Sequence, residues 1–316
     1  MQAVAGASDR PACPITGRPA RRLIGKVHPK LLTKLWRYAG GVELGHLLLP
    51  HQMFGLWESD CGLAFFDPMV EGDQALYPGY YKNVEADRWL FDDRAGGRAD
   101  FAAAAALIAP GQKVLDVGCG RAAFRKHIPN TDYIGLDPYR PDLDLDGIVL
   151  RETVQQHAER HGGEYDVVCA FQVLEHSKEP MALARAMVRL LKPGGLLIVG
   201  VPSWPSPLVE IPNLPANAVP HHLSWWTTGA LGALAGELGL EVETLGELPA
   251  QPEHKVVHWT WWFSPVKATE PYFRHAWSWH LSLMFGFVMA RLVAPLRALP
   301  PGARSIDCFM AARAPG

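Results

Sequence analysis

The stretch DVGCGRA places an acidic residue two positions before a pair of spaced glycines. Gly118 and Gly120 have no Cβ, so the backbone at this bend can approach a ligand closely. In a dinucleotide site, a diphosphate would sit on the helix end that follows such glycines. The carboxylate of Asp116 would repel a diphosphate but attract an ammonium or sulfonium group. The stretch therefore predicts a nucleotide-like ligand that carries a positive charge.

A second acid, Asp137, ends the next apolar stretch, about 20 residues further along the chain. An acid at this place binds the ribose hydroxyls of a nucleotide, whichever class of nucleotide is held. The glycine turn and Asp137 are therefore expected to share one ligand.

The elements that position these residues follow a regular alternation. Apolar stretches at 113–117, 133–136, 148–150, 166–171 and 196–201 are separated by helical patterns. Strands that are almost wholly apolar and spaced by helices indicate a parallel sheet covered on both faces. The pattern predicts an α/β fold with a Rossmann-like, doubly wound, mostly parallel sheet, and SIDCFMAARA predicts its last strand.

Four motifs occur in a fixed order: the glycine turn, the acid that ends the second strand, EYDVVCAFQVLEH and LLKPGGLLIVGVP. Together they resemble the class I S-adenosylmethionine-dependent methyltransferases of the ubiquinone-biosynthesis-like type, from Ala99 to about Leu245. The resemblance implies S-adenosylmethionine as the cofactor and an antiparallel last strand. Ala122 stands where the family usually has a third glycine.

The family pattern implies a role for each matching residue. Asp137 would bind both ribose hydroxyls, and Pro138 or Tyr139 would lie near the adenine. Glu152 is the candidate for the acid that often follows the third strand. The implied cofactor set is Asp116, Gly118, Cys119, Gly120, Asp137, Pro138, Tyr139, Glu152, Phe171, Gln172 and Leu174.

Three histidines are the catalytic candidates. Methyl transfer from a sulfonium is an in-line displacement, and a base is needed where the nucleophile carries a proton. His176 follows the fourth strand, whereas His221 and His222 lie in a loop that the family uses to cover its active site. A histidine near pH 7 can accept a hydroxyl proton. Alternatively, the three cap helices or brace this loop, and Glu175 holds a loop N–H or the cofactor amine.

The segments CPITG and WESDCGLAFFDP resemble the two halves of a zinc ribbon found ahead of some methyltransferases of this type. A structural zinc needs four ligands, but Thr16 and Glu58 occupy two places that cysteines hold in that pattern. Cys13 and Cys61 remain, so we expect a degenerate module without metal. The alternative is a rebuilt site that adds one histidine, either His28, His46 or His51. No metal is predicted elsewhere, because the aspartates of DPYRPDLDLD fit a solvated loop better.

The predicted domains are an N-terminal module with a linker at 1–85, a methyltransferase core at 86–248, and a Trp-rich helical insertion with the last strand at 249–316. The linker holds three tyrosines, expected either over the cofactor or acceptor or in ordinary packing: Tyr77, Tyr80 and Tyr81. The insertion holds a helix predicted at Trp277–Leu299 with apolar residues nearly all round. This favours a buried or homodimer-forming helix, and the alternative is peripheral contact with a membrane that carries a lipid-linked acceptor.

Composition narrows the choice of partners and compartment. The 316 residues carry a net charge of −2 without a dense basic face, which argues against nucleic acid as the main partner. Five cysteines, an odd number, lie in strands and turns, which favours a reducing, cytoplasmic setting. The N-terminus has no apolar signal core, and no apolar run of about 18 residues predicts a spanning helix.

These expectations combine into a predicted methyltransferase that moves a methyl group to oxygen of a small-molecule or glycan-like acceptor. Analogy with the family suggests polysaccharide or natural-product biosynthesis. Two alternatives stay open. One is an inactive cofactor-binding scaffold that binds a partner protein through the N-terminal module and the Trp-rich arm, and the other is a nicotinamide reductase.

Overall fold

The computed structural model describes residues 10–73, 76, 98–139 and 147–316. Its strands are β1 Arg22–Val27, β2 Phe54–Glu58, β3 Ala64–Asp67, β4 Lys113–Val117, β5 Asp132–Leu136, β6 Val149–Leu150, β7 Tyr165–Phe171, β8 Leu191–Pro202, β9 Ser224–Trp225, β10 Glu241–Glu247 and β11 Asp307–Arg313. Its α-helices are α1 Pro29–Leu35, α2 Gly45–Leu48, α3 Ala99–Ala105, α4 Val154–Ala158, α5 Pro180–Leu190, α6 Pro207–Glu210, α7 Thr228–Glu237, α8 Lys255–Phe263 and α9 Trp277–Val293.

The larger sheet has seven strands in the order β6-β5-β4-β7-β8-β11-β10. Neighbours from β6 to β8 are parallel, and β11 runs antiparallel to both β8 and β10. The predicted α/β class and the antiparallel last strand are therefore confirmed. The chain winds outward from β4 to β6 and then returns to the other side of β4. This reversal lies between β4 and β7, which is where open α/β sheets bind ligands.

The central strands are continuously apolar because both faces of the sheet are covered. Val167 and Cys169 of β7 enter an apolar cluster on one face together with Phe101 of α3. Val168 and Ala170 enter the cluster on the other face, which also holds α5 and α7. Alternate side chains of a strand point to opposite faces, so burial on both sides requires an unbroken apolar run.

The segment after the glycine turn differs from its prediction. A regular helix was expected at 122–127, but Ala123–His127 forms a 3-10 helix. Ala122 precedes it with a left-handed φ of 52°, which a regular right-handed helix cannot include. The turn thus does not lead into a long helix whose N-terminus could hold a diphosphate.

The N-terminal module forms a second, antiparallel sheet in the order β1-β2-β3-β9. Its last strand, β9, comes from the loop after β8, so the module and the core share one sheet. Arg22 in β1 also binds Glu270 of the insertion through two hydrogen bonds of 2.7 and 2.6 Å. The expected boundary near residue 85 lies outside the described residues, as do Tyr77, Tyr80 and Tyr81, and the domain boundaries stay a prediction.

The two ribbon-like turns face each other, although Thr16 and Glu58 replace two of the four cysteines that bind zinc in the ribbon pattern. The Sγ atoms of Cys13 and Cys61 lie 3.8 Å apart, and the hydrogen bond from Cys61 lowers the pKa of Cys13 to about 5. Glu58 instead forms ion pairs with Arg21 and Arg22.

The histidines of the alternative, rebuilt site have other contacts. His28 accepts a hydrogen bond from the Lys30 N–H at the start of α1, and His46 pairs with Asp73. The ring of His51 packs on Phe54. Among the described residues, the structure groups none of the three with the cysteines as metal ligands. A module without metal stays our prediction.

Helix α9 of the insertion is not buried all round, so the favoured interpretation keeps only its homodimer-forming alternative, which stays a prediction. One face packs inward through Trp279, Ser282, Gly286 and Ala290, and the other is exposed. No helix in the described ranges combines the length and apolarity needed to cross a bilayer.

Candidate cofactor and acceptor site

The glycine turn after β4 is shaped by two left-handed residues. Gly118 has a φ of 69° and Gly120 a φ of 54°, values that side-chain-bearing residues rarely adopt. A Cβ on Gly118 would lie 2.5 Å from the Cγ2 atom of Val173, which precedes the 3-10 helix after β7. The absence of a side chain at Gly118 therefore lets the turns that follow β4 and β7 meet.

Asp137 reaches back from the end of β5 to the glycine turn. Its Oδ2 accepts a 2.9 Å hydrogen bond from the Gly120 N–H, and its Oδ1 accepts one of 2.9 Å from the Tyr139 N–H. The structure thus brings together two regions that the sequence separately assigned to one nucleotide. Pro138 and Tyr139 are exposed beside this carboxylate, and their place near the adenine stays a prediction.

Asp116 lies beneath the glycine turn, with 3% of its surface exposed. Its Oδ2 accepts a 2.7 Å hydrogen bond from the hydroxyl of Tyr133, a contact that the sequence did not indicate. Burial raises the pKa of Asp116 to about 7 and also raises the pKa of the Cys119 thiol beside it. Because β4 and β5 pair in parallel, Tyr133 and Asp116 lie on adjacent strands and can meet across them.

The other predicted cofactor residues have distinct surroundings. Phe171 packs its ring on Phe101 and Phe124, and Leu174 is fully buried. Gln172 adopts a left-handed φ of 61° at the end of β7, and its Nε2 donates a 3.1 Å hydrogen bond to Asp307. Strained backbone of this kind concentrates at functional sites.

Glu152 is held by two basic partners in and after helix α4. Its Oε1 lies 2.6 Å from the Nδ1 of His157, and its Oε2 binds Arg160. Burial opposes ionisation, but these hydrogen bonds outweigh it and lower the pKa of Glu152. None of these contacts reaches the glycine turn, so a cofactor role for Glu152 stays a prediction.

The three candidate histidines meet in one cluster. The ring of His176 lies 4.5 Å from that of His221 and 5.1 Å from that of His222, and the latter two stack at 4.6 Å. A hydrogen bond from the Leu223 N–H to the Glu175 carbonyl, 2.7 Å long, joins the two segments that carry them. Burial lowers the pKa of all three, to about 4 for His176. The imidazoles are therefore neutral near pH 7.

Backbone carbonyls select the tautomer of two of these rings. The Nδ1 of His176 lies 2.7 Å from the His221 carbonyl, and the Nδ1 of His221 lies 3.0 Å from the Ala216 carbonyl. A carbonyl only accepts hydrogen bonds, so each Nδ1 carries the proton and each Nε2 keeps its lone pair. The Nε2 atoms can thus act as bases or as ligands.

Glu175 belongs to the same cluster, and sequence reasoning did not predict its burial beside the histidines. It is 1% exposed, and neither carboxylate oxygen has a hydrogen-bond partner among the described residues. The loop N–H expected to bind it is therefore not observed there. Its Oε1 lies 3.6 Å from the Nε2 of His176, and burial raises its pKa to about 8.

A further charged cluster surrounds Gln172 and was missed by sequence reasoning. Arg98 binds Asp100 through hydrogen bonds of 3.0 and 2.5 Å, and burial raises the pKa of the nearby Asp307 to about 7. Glu253 and His254 complete the cluster. These residues are spread over more than two hundred positions of the sequence, so no local motif could have predicted the cluster.

Comparisons with known proteins agree with this geometry. Residues 90–245 match the family model described as a methyltransferase domain. The ubiquinone biosynthesis O-methyltransferase of Escherichia coli (strain K12 / DH10B) is 38% identical over 97 residues, which cover 27% of this chain and 40% of that protein. The same values hold for the protein of that name from Shigella boydii serotype 18 (strain CDC 3083-94 / BS512). The chain thus spans about two fifths of the length of these curated relatives.

Among solved structures, a possible histamine N-methyltransferase from Thermotoga maritima matches with a TM-score of 0.46 and 16% identity, covering 74% of this chain and 96% of that one. The match to 1,6-didemethyltoxoflavin-N1-methyltransferase from Burkholderia thailandensis has a TM-score of 0.45 and 14% identity, covering 76% and 85%. The domain match, the strand order and the glycine turn agree on one family. Residues 90–245 therefore form a domain of the class I S-adenosylmethionine-dependent methyltransferases, the family that uses S-adenosylmethionine as its cofactor.

Proposed function

We propose that the chain transfers the methyl group of S-adenosylmethionine to a hydroxyl oxygen of a small-molecule or glycan-like acceptor. The single observation that carries the choice of oxygen is the buried cluster of neutral histidines. A neutral amine has a lone pair ready to attack, whereas a hydroxyl must lose its proton as the methyl arrives. Several unprotonated imidazoles at the carboxyl edge of the sheet suit the second case.

The cofactor pocket fits a nucleoside with a positively charged tail. A Cβ on Gly120 would meet no atom within 4 Å, so this part of the turn is open to a ligand, and the Asp137 carboxylate stands beside it, as ribose binding requires. The buried Asp116 lies under the same turn, where a positive group above it would favour ionisation of the carboxyl. When bound, the cofactor supplies a methyl group on a good, neutral leaving group.

The histidines supply the proton acceptor. The turn after β7 meets the glycine turn through Val173, so His176 lies three residues after a residue that contacts the glycine turn. The loop with His221 and His222 is buried, and it closes this side of the site. A low-dielectric surrounding strengthens the electrostatic attraction between the acceptor hydroxyl and the imidazole, which orients the hydroxyl for proton transfer.

The test is a turnover assay with radiolabelled S-adenosylmethionine and a panel of phenols, sugars and hydroxylated lipids. We expect His221→Ala and His222→Ala to lower turnover at least about tenfold with little change in the affinity for S-adenosylhomocysteine. His161→Ala, which replaces a histidine beside helix α4, is the matched control and should keep full turnover. Unchanged turnover in both single variants and in the double variant would exclude the base role.

A further inference from the structure

We propose that His176, His221 and His222 form a binding site for a divalent transition-metal ion, with Glu175 as a fourth ligand. The use of this ion in catalysis rests on the proposed function, but the ion site itself does not. Zinc is the reference ion, because imidazole nitrogen and carboxylate oxygen are ligands that it accepts in tetrahedral sites.

The spacing of the three rings suits a shared ion. One nitrogen from each histidine can be chosen so that all three lie within 4.8 Å of one another. Around a tetrahedral zinc, nitrogens about 2.0–2.1 Å from the ion stand roughly 3.4 Å apart. Small side-chain rotations would therefore close the cluster on an ion without moving the strands.

The hydrogen bonds behind the rings match those of metal-binding histidines. Such histidines usually donate their other ring N–H to a carbonyl or carboxylate, which fixes the tautomer and the ring orientation. His176 and His221 both donate from Nδ1 to backbone carbonyls, at 2.7 and 3.0 Å. Their Nε2 lone pairs are thereby the ligating atoms.

Glu175 is an independent indication that this cluster can bind a cation. A buried carboxyl group whose oxygens both lack hydrogen bonds is costly, since the group has lost its water without gaining a partner. Both oxygens of Glu175 are in this state among the described residues, and Oε1 lies 3.6 Å from His176 Nε2. A cation in the cluster would supply both the charge and the contact that this side chain lacks.

In catalysis, the ion would act on the acceptor. The acceptor hydroxyl would join the ion as a fifth ligand, and the divalent ion would lower its pKa. Because the imidazole lone pairs are then bound to the ion, the hydroxyl proton would pass to solvent rather than to a histidine. The acceptor oxygen then forms a bond to the methyl carbon as the carbon–sulfur bond breaks, and sulfur keeps the electron pair. S-adenosylhomocysteine leaves as a neutral thioether.

Metal binding is tested on the full chain after removal of metal with EDTA, by calorimetric titration with zinc sulfate. We expect stoichiometric binding to the wild type, and at least about tenfold weaker binding in His176→Ala, His222→Ala and Glu175→Gln. The matched control is the double variant Cys13→Ser, Cys61→Ser, which removes the other paired ligands and should bind zinc as the wild type does. Zinc binding that disappears in this control, or no binding by the wild type, would overturn the proposal.

Titration of the same samples with S-adenosylhomocysteine separates the two proposals. Full turnover in EDTA with intact cofactor binding would overturn the catalytic ion and leave the methyltransferase proposal standing. Zinc binding without turnover on any acceptor would do the reverse: the ion site stands and the proposed function fails. Loss of both zinc and S-adenosylhomocysteine binding in a histidine variant would indicate misfolding, and Glu175→Gln then decides the site.

Helix α9 carries a second inference from a different observation: we infer that it lies on an anionic lipid bilayer. Seven large apolar side chains on α9 and just after it are between 51% and 82% exposed, namely Trp277, Leu281, Met284, Phe285, Val288, Leu292 and Leu296. Apart from the adjacent Met284 and Phe285, they recur every three or four residues, which places them along one face of the helix. Contiguous exposed apolar surface of this kind marks an interaction site.

The seven exposed apolar side chains from Trp277 to Leu296 form an apolar stripe. The opposite face of α9 packs against helix α8, so this stripe cannot turn inward. A Cβ on Gly286 would lie 2.6 Å from the Thr260 carbonyl oxygen, which shows how closely the two helices approach. The hydroxyl of Ser282 accepts a hydrogen bond of 3.0 Å from the Val266 N–H. The contacts of α9 with α8 and with Val266 therefore hold the apolar stripe on the outer side of the helix.

The charges around the stripe select an anionic surface. Residues 271–306 contain no acidic residue but four arginines, Arg274, Arg291, Arg297 and Arg304, of which Arg304 forms an ion pair with Glu210. Near the start of α9, a cavity of about 450 Å³ is lined by Lys26, Lys30 and Lys34 together with His28 and His275. Basic side chains beside an apolar stripe are the pattern of helices that lie in a bilayer interface.

The test is co-sedimentation with vesicles of phosphatidylglycerol and phosphatidylcholine, compared with phosphatidylcholine alone. We expect binding to the anionic vesicles that weakens with salt and falls at least about tenfold in Leu281→Glu, Val288→Glu. Leu107→Glu changes an exposed leucine away from this face and should bind normally. Binding that is equal for wild type and double variant, or a wild-type dimer that this variant dissociates while vesicles are ignored, would overturn the inference.

Discussion

Replacement of Asp137 by alanine removes the group that we assign to the cofactor ribose. Both of its oxygens are already oriented by backbone N–H groups, at 2.9 Å from Gly120 and 2.9 Å from Tyr139, so the carboxylate is held in place before the cofactor arrives. A hydrogen bond to a charged group contributes about 1.5–3 kcal/mol, and every 1.4 kcal/mol is tenfold in affinity. The loss of one such bond should weaken binding by about tenfold to a little over a hundredfold, and the loss of two should weaken it further.

The assay is calorimetric titration with S-adenosylhomocysteine, with thermal unfolding as the check on folding. Asp137→Asn is a second variant that keeps one acceptor oxygen for the backbone, so it separates cofactor binding from collapse of the turn. Asp132→Asn changes an exposed acid at the other end of strand β5 and should bind as the wild type does. A dissociation constant that stays the same in both Asp137 variants would refute the ribose assignment.

Three further outcomes follow from the geometry. Gly118→Ala should destabilise the fold more than Gly120→Ala. Both positions have a left-handed φ, but only at Gly118 would a Cβ lie 2.5 Å from a neighbouring side chain. A larger loss of unfolding free energy in Gly120→Ala, measured by urea unfolding, would contradict this. The pKa of Asp116 is raised to about 7 in the fold, so this carboxyl stabilises the native state at low pH and that contribution is lost as pH rises from about 4 through 7. Asp116→Asn should remove this loss, which amounts to roughly 2–4 kcal/mol, and parallel wild-type and variant stabilities at pH 5 and 8 would count against it. Metal analysis of the double variant Cys13→Ser, Cys61→Ser should give the same zinc content as the wild type, and a fall by one ion per chain would show that the ribbon-like turns bind metal after all.

The strands around the site were readable from the sequence because each is a short apolar run bounded by glycine, proline or an acid. Strand β4 has the predicted bounds, and β7 differs by one residue. The edge of the sheet that binds ligands follows from this order, because parallel strands all present their carboxyl ends on one side. The glycine turn and Asp137 could therefore be assigned to one ligand in advance.

Other features depend on contacts between distant parts of the chain and leave no local pattern. Tyr133 is one residue of an apolar strand, and only the parallel register with β4 brings its hydroxyl to Asp116. Glu175 reads as an ordinary acid in a turn until the fold buries it beside the histidines. Strand β9 is two residues long, so its pairing with β3, which joins the N-terminal module to the core, could not be detected by periodicity.

The central claim is that an acid beneath a bare glycine turn selects a positively charged nucleoside over a dinucleotide diphosphate. The most direct test is parallel calorimetric titration of the full chain with S-adenosylmethionine, S-adenosylhomocysteine and NADH. We expect stoichiometric binding of the first two and none of NADH. Tight binding of NADH, with neither adenosyl compound bound, would contradict the account.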